Sequence, residues 1–294
     1  MKKVAIITRT KNRAILLPRV LESLTSQTYK DFLWVIVNDA GVQEPVDDIA
    51  DLARLKGIDV KVIHREESVG MEAASNDGIL QSESEYILIH DDDDSLYPMF
   101  LEKTVKHLDG KSDQMGVVVQ STMVMEKITE KGVDILYQRP YNSWLTAVFL
   151  SDLIIQNQFP PISFLFKREA YDSVGGFDET LPVLGDWDFH LKCVLKSDIG
   201  VLPQELAYYH HRECSPDSSY SNSIIGSVDK HAFYECVIRN KHLRNDLENN
   251  TVGIGFLLTS GRHMNMISHR LSPLERMLNI LKKLARKTRL DRFL

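Results

Sequence analysis

The sequence predicts an α/β fold built on a mostly parallel sheet flanked by helices, and three observations carry that expectation. Four short Val- and Ile-rich runs, 4–7, 33–37, 60–63 and 86–89, read as buried parallel strands. Segments with helical spacing separate them, and this alternation means right-handed crossovers between neighbouring strands. The fourth run, Tyr86-Ile87-Leu88-Ile89-His90, ends in four consecutive aspartates, Asp91, Asp92, Asp93 and Asp94, at the strand end where open α/β sheets bind ligands.

Each element has its own warrant. Val4-Ala5-Ile6-Ile7 is too short for a signal sequence and stops at Thr8-Arg9-Thr10-Lys11, so it reads as the first strand. Leu17, Val20, Leu21 and Leu24 form one helical stripe, and Ile49, Leu52 and Leu55 a second, while Met71 to Leu80 is more weakly patterned. A helix is expected after Pro98 to about Leu108. Gly116 to Glu126 and Val133 to Tyr137 read as a strand pair around Lys131-Gly132. Trp144 to Ile155 reads as a helix stopped by Gln158-Phe159-Pro160-Pro161, with a further strand from Ile162 to Phe166. Residues 215–227 are polar and expected to form a mobile loop, and the remainder reads mainly as helix.

A chain of 294 residues with 43% hydrophobic composition can bury a full core in one large domain or two unequal ones. Cys193, Cys214 and Cys236 show no Cys-x-x-Cys spacing, which suggests reduced thiols in a cytosolic setting. No apolar stretch approaches the roughly 18 to 20 residues of a membrane span. Residues 273–294 carry seven Lys/Arg against two acids, a net of +5, so the formal charge of −6 leaves −11 for residues 1–272. An acidic body excludes nucleic acid as the partner of the main domain. In the tail, Leu274, Met277, Leu278, Leu281 and Leu284 share a stripe, with Lys282, Lys283, Arg286 and Lys287 largely off it. That pattern suits peripheral contact with a membrane or a helix packed on the main domain.

Packing four carboxylates into one turn costs repulsion unless something positive sits among them, and a hard divalent cation bridging to a diphosphate meets that need. The run therefore reads as the metal site of an enzyme. A calcium loop counted from Asp91 fails, because its sixth position is Leu96 rather than Gly and Pro98 falls inside it. Asp39 ends the second strand in Val37-Asn38-Asp39-Ala40-Gly41, beside the loop Thr8 to Arg13, and can accept hydrogen bonds from a base or ribose. The Asn-Asp pair before Gly also suits a plain turn.

Five motifs stand in register: Thr8-x-Thr10-Lys11-Asn12-Arg13; Leu21-Glu22-Ser23-Leu24-Thr25-Ser26-Gln27-Thr28-Tyr29; Val37-Asn38-Asp39-Ala40-Gly41; Asp91-Asp92-Asp93-Asp94-x-x-x-Pro98; and Val174-Gly175-Gly176-Phe177-Asp178-Glu179 with Gly185-Asp186-Trp187-Asp188. Together, over roughly residues 3–215, they resemble glycosyltransferase family 2, whose members are inverting nucleotide-sugar transferases with a GT-A, Rossmann-like fold. The resemblance implies a catalytic domain at 1–215, with a nucleotide-sugar half at 1–110 and an acceptor half at 111–215, and a helical extension at 216–294. It also implies a nucleotide-sugar donor, a UDP-sugar first, held by Thr8, Arg9, Thr10, Asn12, Arg13, Asp39, Gly70, Asn76, Asp91 and Asp92. Asp93 would bind Mn or Mg, completed by His211 ahead of His210, while Asp94 braces the turn and Asp92 faces solvent.

In the same resemblance Asp186 is the catalytic base, with Asp188 second, although Gly185-Asp186 also suits a helix N-cap. Trp187 and Asp188 would face the acceptor, a glycan or lipid-linked saccharide, with Trp187 equally suited to the core. The setting implied is cytoplasmic, peripheral on the inner face of the cell membrane, in bacterial surface polysaccharide assembly. One departure stands out. Many relatives have an arginine before the asparagine of Ser75-Asn76, which leaves its diphosphate contact to Arg9 or Arg13. The competing functions are an Asp-x-Asp phosphotransferase and a non-catalytic nucleotide-sugar or glycan-binding module.

Overall fold

The computed structural model describes residues 1–129, 132–212 and 228–287. Its first half follows the expected alternation: β1 (Lys2–Thr10), α1 (Leu17–Thr25), β2 (Phe32–Asn38), α2 (Glu44–Leu55), β3 (Asp59–His64), α3 (Met71–Leu80), β4 (Ser84–Ile89), a two-residue β5 (Ser95–Leu96) and α4 (Phe100–Asp109). The second half contains β6 (Gln114–Thr129), β7 (Gly132–Pro140), α5 (Leu150–Leu153), β8 (Phe164–Lys167), α6 (Arg168–Val174), α7 (Gly185–Lys196) and β9 (Asp198–Arg212). Two helices follow, α8 (Val228–Glu248) and α9 (Ile254–Lys287). The expected loop at 215–227 lies outside the described residues.

The strands form one sheet in the order β3-β2-β1-β4-β8-β6-β9-β5, with β7 paired to β6. β1 to β4 pair in parallel, as their two-sided burial requires: Val4, Ala5, Ile6 and Ile7 of the central strand are wholly buried. Beyond β4 the sheet is mixed. β8 runs antiparallel to both β4 and β6, β7 is antiparallel to β6, and β9 returns parallel to β6. The parallel character is thus confined to the β1–β4 half and the β6–β9 pair.

Helix α1 starts at a proline-bearing first turn and buries Leu17, Val20, Leu21 and Leu24, the stripe read from the sequence. Helix α2 turns a different face inward. Val46, Ala50 and Ala53 are buried while Leu52 and Leu55 are exposed, because small alanines let the helix approach the sheet closely. Helix α3 packs closer still. A Cβ on Gly78 would stand 2.5 Å from Cγ2 of Ile7 and 3.0 Å from Cγ2 of Val37.

The helix expected from Trp144 to Ile155 shrinks to Leu150–Leu153. The side-chain amide of Gln120 donates to the carbonyls of Ser143 (2.8 Å) and Leu145 (3.0 Å), which ties this backbone to β6 instead of to a helical ladder. Leu145, 1% exposed, anchors the segment to the core.

The chain divides into two compact units, residues 1–153 with 157–236 and residues 154–156 with 237–294. In the second, the helices touch backbone to backbone: a Cβ on Gly255 would lie 2.3 Å from the His242 carbonyl carbon. The buried Arg239 guanidinium donates to the carbonyls of Ile154 and Ile155, both at 2.8 Å. The Asp246 carboxylate accepts from Gly253 N–H (3.0 Å) and Phe256 N–H (2.9 Å), capping α9. Along α9, Met264, Ile267, Leu271, Leu274, Leu278 and Leu281 are exposed. The basic side chains expected beside this stripe, from Lys282 onward, lie outside the described residues. Among the described residues no helix is long and apolar enough to cross a membrane.

Candidate active site

Parallel pairing brings the carboxyl ends of β1, β2 and β4 to one edge: Thr10 stands opposite Asn38, and Ile7 opposite Ile89. The acids that follow β4 therefore meet Arg9 at the end of β1 and Arg13 just after it, and the acid that follows β2 meets Arg65 after β3. At the end of β2, Asn38 builds the turn, its side chain bonded to Gly41 and Val42. Asp39, 7% exposed, accepts from Arg65 Nη1 (2.7 Å) and Ser68 Oγ (2.6 Å). Gly70 begins α3 with φ of +118°, a conformation that excludes a side chain.

The four aspartates after β4 have four different environments. Asp91 is paired with Arg9 through Nε (3.1 Å) and Nη2. Asp92 is buried rather than solvent-facing, because Arg13 Nη2 reaches it at 2.7 Å. Burial pushes its carboxyl up, with Arg13 opposing and Asp93 adding to the shift. Asp93 is held between Arg13 (2.8 Å) and Arg212, and these two guanidiniums outweigh burial to keep it below the usual carboxylate range. Asp94 does brace the turn: its Oδ1 accepts from His210 N–H (2.9 Å) on β9. Burial raises its carboxyl well above the ordinary value, and Oδ2 has no partner.

A network invisible in the sequence supports this turn. Glu126 on β6, wholly buried, binds Arg19 through two bonds (2.7 and 3.1 Å), Arg212 (2.8 Å) and His210 Nδ1 (2.9 Å). Burial alone would raise this acid, but the bonds from His210 and Arg19 pull it down to about 2. His210 also meets Ser95 Oγ through Nε2 (2.9 Å), so both ring nitrogens are engaged. His211 is different: its Nε2 is buried without a partner. Asp91, Asp93 and Asp94 offer oxygens within 4.8 Å of one another, without His211 among them. An all-carboxylate cluster with a spare buried oxygen fits a hard divalent cation such as Mn or Mg.

Arg9 takes up the position that the sequence leaves open beside Ser75. Its Nη1 donates to Ser75 Oγ (3.1 Å) and to the Met71 carbonyl (3.4 Å). Glu72 Oε2 lies 3.6 Å from the same nitrogen and makes no hydrogen bond. Burial raises Glu72 to about 8; Arg9 opposes this, and Asp186 and Asp91 add to it.

The N-cap of helix α7 is Leu184, whose φ is +65°, so Asp186 falls inside the first turn rather than at the cap. Asn157 Nδ2 donates to Asp186 Oδ2 at 2.6 Å, and Asn157 Oδ1 meets His190 Nδ1 at 3.1 Å. An amide that donates to a carboxylate must turn its oxygen to the ring, which assigns the proton to His190 Nδ1. Burial raises the Asp186 carboxyl above its ordinary range, the bonds from Trp187 N–H and Asn157 and the charge of Arg9 opposing and that of Asp91 adding. A cleft of about 160 Å³ is lined by Arg9, Glu72 and Asp91 together with Asn157, Asp186 and Tyr209.

Several expected contacts are spent on the fold. Thr8 is wholly buried and its hydroxyl accepts from the Trp34 indole N–H (2.9 Å). Thr10, the last residue of β1, is an exception: it is 4% exposed and its hydroxyl makes no hydrogen bond. Asn12 accepts from Val42 N–H (3.0 Å), fixing the loop. Asn76 uses its whole amide on Phe177, Glu179 and Tyr171, because it ties α3 to the segment before α7, so none of it remains for a donor. Trp187 is core, 2% exposed, with its indole N–H donating to the Leu153 carbonyl (2.7 Å). Asp188 is buried against Lys192 (2.6 Å) and does not line the cleft. Arg65, Glu72, Asn157 and Arg212 escaped the sequence reading; the one available signal was Arg212, directly after the paired histidines.

Residues 5–175 match the family model described as Glycosyl transferase family 2. The chain is 26% identical over 217 residues to the uncharacterized glycosyltransferase YwdF of Bacillus subtilis, covering 74% of this chain and 77% of that one. It is also 26% identical over 189 residues to a PGL/p-HBAD biosynthesis glycosyltransferase of Mycobacterium bovis, covering 64% and 68%. Among solved structures, S. aureus TarS 1-349 in complex with UDP-GlcNAc superposes with a TM-score of 0.56 at 21% identity, covering 73% of this chain and 62% of that one. The mannosyltransferase PcManGT from Pyrobaculum calidifontis, in complex with GDP-Man and Mn2+, gives 0.56 at 17%, covering 97% and 80%. A longer TarS chain is spanned to 37% of its length.

Proposed function

The chain belongs to glycosyl transferase family 2, and from that membership we propose that it is a metal-dependent inverting enzyme acting on a nucleoside diphosphate sugar. The fold is of the GT-A type, and the chain is a glycosyltransferase. One observation carries the finer reading: Arg9 and Asp91, at the carboxyl end of the parallel strands, line the same cleft as Asp186. A cleft with a cationic, metal-competent end and a held carboxylate suits in-line displacement at a sugar carbon.

In that displacement the acceptor hydroxyl oxygen forms its bond to the anomeric carbon as the bond to the diphosphate oxygen breaks. Asp186 takes the hydroxyl proton, and Asn157 fixes which carboxylate oxygen is free to do so. The leaving electron pair stays on the nucleoside diphosphate. Asp91, Asp93 and Asp94 would hold Mn or Mg, with His211 Nε2 in reserve. When bound, the ion supplies positive charge against the departing diphosphate. Arg9 and Arg13 add to that charge from the protein side. Asp39, held by Arg65 and Ser68, would meet the nucleoside. Support for a UDP-sugar and for Mn comes from the ligands bound in the similar structures. The acceptor we propose is a glycan or lipid-linked saccharide of bacterial surface polysaccharide assembly; the exposed apolar stripe of α9 supports a lipid-linked one, and the mycobacterial relative is named for PGL/p-HBAD biosynthesis.

A panel of nucleotide sugars, each with Mn and then with a chelator, tests the reading. Nucleoside diphosphate release that depends on acceptor and stops on chelation is expected. Release from no donor would overturn the proposal. Release that survives chelation would transfer the metal's role to Arg9, Arg13 and Arg212.

A further inference from the structure

We infer that Glu72 reads the hydroxyl groups of the sugar being transferred, an inference that rests on the transferase reading above. Three observations converge on it. Glu72 is 3% exposed, yet its Oε2 has no hydrogen-bond partner. A buried carboxyl oxygen left unpaired is costly, so a native site that keeps one holds a place for a ligand atom. Arg9 does not fill that place. It forms an ion pair with that oxygen, but at 3.6 Å it is beyond hydrogen-bond reach, and the two N–H groups of the nearest nitrogen, Nη1, go to Ser75 and the Met71 carbonyl.

The second observation is position. Glu72 lines the same cleft as Arg9 and Asp91, at the proposed diphosphate end, and Asp186, at the proposed acceptor end; it lies 3.6 Å from Arg9 on one side and abuts Gly185, next to Asp186, on the other. In a displacement reaction, what lies between the leaving oxygen and the attacking oxygen is the transferred sugar itself. A carboxyl group on that stretch of wall therefore meets sugar hydroxyls rather than the base or the acceptor.

The third observation is that the fold makes room for it. A Cβ at residue 185 would stand 2.4 Å from the Glu72 carboxyl carbon and Oε1. Glycine at the start of α7 thus lets a carboxylate from α3 occupy the space beside Asp186 that any larger residue would take. A site that hydrogen-bonds a hydroxyl discriminates strongly against donors lacking it, because its own polar group is then left unpaired.

The test compares the parent protein with Glu72→Gln and Glu72→Ala, after thermal unfolding has shown that the variants fold. Calorimetry measures the affinity for the sugar-free nucleoside diphosphate. Initial rates measure kcat/KM for the preferred donor against its epimers and deoxy analogues. The expected result is that nucleoside diphosphate affinity stays within about twofold in both variants, while discrimination among sugars falls at least about tenfold in Glu72→Ala and less in Glu72→Gln. If Glu72→Ala fails to fold, the isosteric Glu72→Gln decides alone. Unchanged discrimination would overturn the inference while leaving the transferase reading intact. So would an equal loss of nucleoside diphosphate affinity, since Glu72 would then serve only to hold Arg9. A parent protein that turns over no nucleotide sugar would remove the transferase reading and this inference with it.

Discussion

Asp186 is held at one oxygen by Asn157, which is oriented in turn by a neutral, Nδ1-protonated His190. Asp186→Asn removes the proton acceptor at constant size, so turnover should fall at least about a hundredfold with donor affinity and melting behaviour retained. Asn157→Ala frees the carboxylate to rotate, and a loss on the order of tenfold in kcat with KM little changed is expected. Initial-rate measurements on the two variants check both, and an Asp186→Asn enzyme near parental rate would put the base elsewhere. At this scale the sequence was legible where residues cluster along the chain. The run Asp91 to Asp94 and the pair Gly185-Asp186 stand out unaided. Asn157, Glu72 and Arg212 did not, because each acquires its meaning from a partner far off in sequence: 29 residues for Asn157 and Asp186, and 119 for Arg212 and Asp93. Nor could the chain show that the amide of Asn76 is wholly consumed by the fold.

Among the elements, α3 is the one on which most depends. Its first turn offers Glu72 and receives Arg9, and its Gly78 sets how closely it lies on β1 and β2. Gly78→Ala would gain about 1 kcal/mol of helix propensity, but the added methyl overlaps Ile7 and Val37, an overpacking that typically costs about 1–3 kcal/mol. A lower melting temperature with weakened donor binding is the expected outcome, read by thermal unfolding and calorimetry; a higher one would mean that the helix shifts freely. Periodicity located α1 correctly because its apolar face is made of three leucines and a valine. It misjudged α2, whose buried face is largely alanine, and the 144–155 segment, whose backbone carbonyls are claimed by Gln120. Hydrophobic pattern reports which residues prefer burial, not which neighbour will supply the backbone's hydrogen bonds.

For the whole molecule, acid should be destabilising through His190. Burial lowers its pKa to about 3 from the ordinary 6.5, so the unfolded chain binds a proton that the folded protein refuses. Stability therefore falls as pH drops from about 6.5 toward 3, by up to about 1.4 kcal/mol per pH unit for this one group. Denaturant unfolding at several pH values should show a shallower dependence in His190→Gln; an unchanged slope would assign the acid sensitivity to other groups. Removing residues 273–294 tests the membrane contact proposed for the tail. A folded protein that no longer sediments with anionic vesicles is expected, and aggregation would point instead to a helix packed on the protein.

Among the described residues the short strand β5 pairs only with β9, Ser95 opposite Tyr208 and Leu96 opposite Ala207. During synthesis the β1–β4 sheet can therefore form while the acidic turn just before β5 still lacks the strand it pairs with. Arg9 and Arg13 can already pair with Asp91, Asp92 and Asp93, but Asp93 lacks its second guanidinium, and Asp94 its bond to β9, until more than a hundred further residues leave the ribosome. Arg212, Glu126's partner and the last residue of β9, arrives as both the anchor and the counter-charge. A nascent chain stalled before β9 would thus carry a formed sheet whose acidic turn is only partly neutralised and not yet anchored.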